Sequence, residues 1–274
     1  MRGKSSGTES LAPPHLNPLP AGEKKRVGDF QVKNICALVL CGGKGKRLRA
    51  VVRNRPKPMA LVNGKPFLDY VLEHVKSCGI KDIVLLTGYK SGIIQNYYAK
   101  NGVRILKEKT PLGTAGAIRN AAPHIGSYTF FILNGDSLCR ADLGKMLKFH
   151  RVKKAGVTIA LARQKQVADY GSVKRQPSGR ITSFAEKRTQ AAPGIVNAGI
   201  YLFDKRILSR IPAGKKYSLE LDVFPKVKNC YGYLSGQPLL DIGTPERLQK
   251  AQAFLLSRLK NAPHPNLLPK GEKG

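Results

Sequence analysis

From residue 35 to about residue 260, short apolar runs suited to strands alternate with amphipathic runs suited to helices. This alternation restricts the possible folds more than any single motif does. Ile35–Cys41 reads as a strand, Pro66–Cys78 as a helix and Ile83–Thr87 as the next strand, the order of a βαβ unit. Within the helical run Phe67, Leu68, Val71, Leu72 and Val75 fall on one stripe at 3.6-residue spacing, Pro66 suits the first turn and Gly79 the stop. The pattern continues with a strand near Val103–Leu106, a helix near Thr114–Ala121, a strand Tyr128–Leu133, a helix Leu143–Lys154 and a strand Val157–Ala162. Shorter candidates then follow at Ser172–Arg175, Arg180–Phe184 and Ile195–Phe203, parted by turn residues, as in an antiparallel excursion. Leu239–Asp241 leads back to a last helix, Pro245–Leu259. The expectation is an α/β fold, a mixed but mostly parallel sheet flanked by helices, in one domain over residues 31–260 whose second half binds substrate.

A chain of 274 residues can bury a core of this kind without covalent staples. Its five cysteines (Cys36, Cys41, Cys78, Cys139, Cys230) include no C-x-x-C pair and are odd in number, which reads as reduced thiols. The five histidines are scattered, without metal-ligand spacing. No run approaches the roughly 20 apolar residues of a membrane span, and no apolar signal core opens the sequence, so a cytoplasmic protein without a membrane partner is expected. The ends, 1–30 and 261–274, are rich in Pro and Gly and read as disordered tails. They share seven of ten positions between His15–Lys24 and His264–Lys273, which fits one repeated DNA element translated twice.

The net charge of +31 lies in the body rather than in the tails, and it would attract nucleic acid, anionic membrane or phosphorylated small molecules alike. Lys145, Lys148, Arg151, Lys153 and Lys154 form a basic helical face, yet with Phe149 alone among them it lacks a series of interleaved aromatics for base stacking. That face reads as solvated, and nucleic acid is not expected as a partner.

The chemistry concentrates first at Cys41–Pro58. Gly42 and Gly43 follow the first strand, Arg47 lies beyond them, and Lys57 sits between Pro56 and Pro58. Glycines let backbone N–H groups close around a polyphosphate, and the prolines should hold Lys57 outside a helix as a fixed cation. The loop is not a Walker A, since no G-K-[ST] follows, and not G-x-G-x-x-G, since Leu48 stands where the last Gly should be. Read alone it remains open between a phosphate cradle and an ordinary turn with surface cations. Asp136 and Asp241 each end a strand-like run, on the edge where open α/β sheets bind ligands. Together they could hold Mg²⁺, a hard cation that takes oxygen ligands, although each alone also suits a turn or a helix cap. Glu186 and Lys187 fit a surface ion-pair neighbourhood equally well; Asn197 is more telling, because strands disfavour Asn.

In order and spacing, Gly42-Gly43-x-x-x-Arg47, Arg55-Pro56-Lys57-Pro58, Pro111-Leu-Gly-Thr-Ala-Gly116, Asn134-Gly-Asp136, Glu186-Lys187, Asn197-Ala-Gly199 and Asp241-Ile-Gly-Thr-Pro245 resemble the sugar-1-phosphate nucleotidylyltransferases. The likeness covers residues 35 to about 260, and Leu48–Leu68 is most similar to the heptose 1-phosphate and mannose 1-phosphate guanylyltransferases. The resemblance implies a single Rossmann-like nucleotidyltransferase domain. It implies that an NTP, GTP by this likeness, and a sugar 1-phosphate react to pyrophosphate and an NDP-sugar for polysaccharide synthesis. It also implies roles: the Gly42-Gly43 backbone and Arg47 on the triphosphate, Lys57 on the reacting phosphates, and Gly113 near the base. Asp136 and Asp241 would bind Mg²⁺, while Glu186, Lys187 and Asn197 would hold the sugar phosphate, with Tyr170 and Gly171 beside it. Cys41 departs from the small residue more usual there. Glu108 stands where some relatives use an amide to read the base, which leaves uridylyl, cytidylyl and thymidylyl transfer open beside guanylyl transfer. A nucleotide-sugar sensor without activity is the rival from another class, since folds of this kind also bind without reacting. Neither the sugar nor a homo-oligomer is decided by the residues.

Overall fold

The computed structural model describes residues 32–260 except 44, 49–50, 168–169, 171 and 186–191. Both expected tails, and Gly171, Glu186 and Lys187, therefore lie outside the described residues. The first unit runs from β1 (Ala37–Leu40) through a short hairpin, β2 (Leu61–Val62) and β3 (Lys65–Pro66), into α1 (Phe67–Ser77) and β4 (Ile83–Thr87). All five residues of β4 and the first three of β1 are buried, the continuous apolar reading of strands covered on both faces. The helix α2 (Ser91–Tyr98) and β5 (Arg104–Lys107) follow, then α3 (Gly113–Asn120) and β6 (Thr129–Asn134). These four strands are parallel, in the order β6-β1-β4-β5.

After β6 come β7 (Ser137–Cys139), α4 (Leu143–Val152) and β8 (Val157–Gln164), then the antiparallel excursion of β9 (Ser172–Arg175), β10 (Ile181–Ala185) and β11 (Gly194–Asp204). The chain closes with β12 (Cys230–Leu234), β13 (Leu239–Asp241) and α5 (Pro245–Lys260). The strand β11 is the seam of the molecule, pairing antiparallel with β6, with β8 and at its start with β9. Its register shifts between Asn197 and Tyr201, where it leaves β9 for β6.

Side chains of β6 alternate between two cores. Phe131 and Leu133 face α1, α4 and α5 with Phe67, Leu147 and Leu255; Phe130 and Ile132 face α3 and the segment after β11 with Ile118, Phe203 and Phe224. Helices thus cover both faces of a mixed, mostly parallel sheet, as expected. Among the described residues no helix is long and apolar enough to cross a membrane.

Three features depart from the sequence reading. The helix α2 goes unread because its buried stripe is only Ser91, Ile94 and Tyr98, and it starts from Lys90 in the left-handed region (φ 50°) without a side-chain cap. The strand β12 goes unread because Gly232 interrupts it. The third concerns Asp241: β13 does not return to the main sheet but pairs antiparallel with β7, Asp241 opposite Ser137. Only Asp136 therefore stands just beyond a strand of the parallel sheet.

Because Phe131 is wholly buried at the centre of one core, Phe131→Ala should lower the unfolding free energy by about 3–5 kcal/mol, measured by urea titration.

Candidate active site

Directly after β1 the backbone turns at Gly42 and Gly43 along the wall of a cleft of about 970 Å³, which Arg47, Lys57, Glu108 and Asp136 also line. Cys41 is buried at the base of this turn; burial, and next the charge of Asp136, push its thiol pKa up, so it is a neutral filler and not a nucleophile. Lys57 opens a single 3₁₀ turn, Lys57–Met59, where it was expected outside any helix. Pro56 (φ −67°) caps that turn and Pro58 falls at its second position, where its missing N–H leaves no bond unmade, while buried Met59 and Ala60 anchor it.

The ammonium of Lys57 lies 2.5 Å from Oδ2 of Asp136. Asp136 is held there by the turn after β6: Gly135 N–H donates to the Leu40 carbonyl (3.0 Å), and a side chain at 135 would press on Cys41 Sγ. The Asp136 carbonyl in turn accepts from Ile242 N–H (3.2 Å), bringing the strand of Asp241 alongside.

Asp241 carries the densest contacts. Its Oδ1 accepts from Gly243 N–H (2.8 Å) and from Arg247 Nη1 (3.0 Å), and its Oδ2 accepts from Tyr170 OH (2.5 Å) and from the same Nη1 (3.1 Å). The Arg247 guanidinium also stacks over the Tyr170 ring, 4.1 Å from its centroid. Tyr170, expected beside the sugar phosphate, is thus a partner of Asp241. Arg247 was missed by sequence reading, although a signal was there: it sits in the first turn of α5, where the helix dipole disfavours a cation unless an anion faces it.

Two carboxylates with no thiol or imidazole among them make an oxygen donor set of the kind a hard divalent cation takes. Lys57 engages only Oδ2 of Asp136, so that residue fits the role as it stands, whereas both oxygens of Asp241 are already in use.

On the same cleft Glu108 folds back so that its carboxylate lies where a Cβ on Gly42 or Gly88 would be, and a side chain at either position would have to displace it. Leu112 N–H donates to its Oε2 (3.1 Å). Burial raises the Glu108 pKa, and the Leu112 N–H offsets part of that rise. Gly113, expected near a base, lines the same cleft. Its φ is +70°, and an added Cβ would stand 2.6 Å from the Tyr217 carbonyl. That carbonyl accepts from Ala115 N–H (2.9 Å), so the start of α3 seats the loop of Tyr217 rather than offering its amides to a phosphate.

Asn197 lies at the register shift of β11 and is not on the cleft wall: its Nδ2 donates to Tyr201 OH (3.0 Å), and its Oδ1 accepts from Gly199 N–H (2.9 Å). The cluster formed by the described site residues therefore comprises Gly42, Gly43, Arg47, Lys57, Gly113 and Asp136 on the cleft, with Tyr170 and Asp241 joined to one another beside it.

The sequence matches the family model described as Nucleotidyl transferase over residues 36–258. The chain belongs to this family. Among relatives of this nucleotidyl transferase is the D-glycero-alpha-D-manno-heptose 1-phosphate guanylyltransferase of Aneurinibacillus thermoaerophilus, 39% identical, the match covering 80% of this chain and 97% of the relative. The mannose-1-phosphate guanylyltransferase of Mycobacterium tuberculosis is 36% identical over 87% of this chain and 68% of its own length. In structure the chain is similar to HddC from Yersinia pseudotuberculosis complexed with GMP-PN, with a TM-score of 0.74 and 32% identity over 81% of this chain and 99% of that one. Nucleotidyl transferases generally work with a divalent metal, consistent with the oxygen donors found here.

Gly113→Ala should strain this transferase in two ways at once, by a left-handed backbone and by the Tyr217 carbonyl. A loss of about 1–2 kcal/mol in urea unfolding is expected from the backbone alone.

Proposed function

We propose that this nucleotidyl transferase moves a guanylyl group from GTP onto a manno- or heptose-type sugar 1-phosphate, forming a GDP-sugar and pyrophosphate. The observation that carries the reading is the placement of Glu108 on the cleft that Lys57 and Asp136 also line. Guanine presents two adjacent donors, N1–H and the 2-amino group, on its pairing edge; a carboxylate offers two acceptor oxygens and no donor. Uracil, thymine, cytosine and adenine each set an acceptor beside their donor there, and so would leave a lone pair facing the carboxylate. The named relatives, guanylyltransferases for heptose 1-phosphate and mannose 1-phosphate, support the same choice.

The reaction needs no covalent enzyme intermediate. A phosphate oxygen of the sugar 1-phosphate attacks the α-phosphorus in line, the bond to the β-phosphate oxygen breaks, and pyrophosphate leaves with that electron pair. Lys57 neutralises charge gathering on the transferred phosphoryl group, and Arg47 with the Gly42-Gly43 backbone holds the pyrophosphate. Asp136 and Asp241 would hold Mg²⁺, which would supply charge neutralisation of the triphosphate. Tyr170, with Gly171, Glu186 and Lys187, is assigned the sugar-phosphate side in this reading, while Asn197, off the cleft wall, holds the bend of β11 through Gly199.

A pyrophosphate-release assay across four NTPs with mannose 1-phosphate and heptose 1-phosphate tests it, GTP being the expected donor. Lys57→Ala should cut turnover by about 10²–10³-fold, the range for losing one donor aimed at transition-state charge. Glu108→Gln should lower kcat/KM for GTP by about 10- to 100-fold. Since the Glu108 pKa is raised, the carboxylate gains its proton earlier than an ordinary one as pH falls. The KM for GTP should therefore climb on the acid side, and that limb should vanish in Glu108→Gln. Preference for another NTP, or undiminished turnover in Lys57→Ala, would sink the proposal.

A further inference from the structure

The four contacts on Asp241 leave its carboxylate without a free oxygen for a cation. A carboxylate has about four lone-pair sites, and Gly243 N–H, Tyr170 OH and the doubly shared Arg247 Nη1 take one, one and two of them. The Gly243 contact is set by the backbone turn into α5. The other partners are side chains that move together, because the Arg247 guanidinium lies on the Tyr170 ring. Asp241 and Arg247 are both mostly buried, with side-chain exposures of 12% and 14%, so water does little to screen the pair. Asp136 offers a contrast, being held among the described residues at one oxygen, by the Lys57 ammonium.

We infer that Arg247 is a latch on Asp241. In the metal-free protein the guanidinium stands in for the cation, sparing a mostly buried carboxylate from being unpaired; a divalent metal binds Asp241 only as Arg247 gives up at least one oxygen. Since Arg247 rests on Tyr170, entry of the metal shifts the ring that also holds Asp241. Arg247 is a positioning residue in this scheme, touching neither substrate nor reacting phosphorus. The inference rests on the reading of Asp241 as a metal ligand, and the experiment separates the two.

The probe is Mn²⁺ alone, with no nucleotide, titrated into the full chain while free Mn²⁺ is followed by its paramagnetic resonance signal. Arg247→Gln should bind Mn²⁺ about tenfold more tightly than the unaltered protein, the worth of one charge-assisted contact no longer in competition. Arg247→Lys keeps the charge but loses the planar guanidinium that lies on the Tyr170 ring, and should fall between the two; it also carries the test if Arg247→Gln does not fold by urea titration. Arg247→Lys at unaltered affinity would reduce Arg247 to a nearby charge and overturn the latch, as would an Arg247→Gln protein that is folded and binds no more tightly. Asp241→Asn should weaken Mn²⁺ binding and abolish the gain from Arg247→Gln in the double variant. If Asp241→Asn binds as well as the unaltered protein, Asp241 is no metal ligand and both readings fall. If it binds more weakly while Arg247→Gln shows no gain, the latch alone falls.

Discussion

The contact between Lys57 and Asp136 joins two loops 79 residues apart, the one that follows β1 and the turn that ends β6. The Gly42-Gly43 turn, Lys57 and Asp136 take their positions from these two neighbouring strand ends. Their parallel pairing, Leu40 beside Asn134, brings the loops together, and Gly135 removes the side chain that would hold them apart. As a source of stability the ion pair is modest, because Asp136 remains about one-third exposed and pairs of that kind contribute up to about 1 kcal/mol. Its consequence is preorganisation: a cation and an anion meant for other partners are held in the open cleft at fixed positions, so little rearrangement remains when phosphates arrive.

How far the sequence discloses this depends on whether a feature is local. The helix α1 is legible because five apolar residues on one stripe, a proline at its start and Gly79 beyond its end all agree. The parallel strands are legible because burial on both faces leaves unbroken apolar runs. By contrast α2 is held through Ile94 and Tyr98 against a core assembled from distant segments, and β12 is strand only because β8 lies beside it. The departures are therefore places where tertiary pairing outweighs local preference.

Site residues divide along the same line. Gly42, Gly43, Arg47 and Lys57 lie within one short segment, so spacing alone marks them. Asp136 and Asp241 were legible as strand-end carboxylates, yet their environments were not: nothing near Asp241 in sequence announces Tyr170, and β13 pairs with β7 instead of the main sheet. Gly113 was expected near the base and lines the cleft, but its glycine is required by the Tyr217 carbonyl, which arrives from about a hundred residues away. A motif of small residues thus records a close approach between backbones as readily as a contact with ligand.

The charge of the chain acquires a sharper meaning from the cleft. Its described lining carries five cations, Arg47, Lys57, Lys107, Lys109 and Lys216, against three acids, Glu108, Asp136 and Glu220, so the large excess of +31 lies mostly elsewhere on the molecule. A uniformly cationic cleft would grip polyphosphate tightly and release pyrophosphate poorly. The distribution separates two tasks: a broad positive field draws anions toward the protein at long range, while a nearly balanced cleft discriminates among them at short range. Lys57, already paired to Asp136, contributes to that balance, since it must exchange one anionic partner for another. Part of the Coulombic gain of binding is then offset by the pair that is broken, which weakens the hold on an anion without weakening the selection of a correctly placed phosphate.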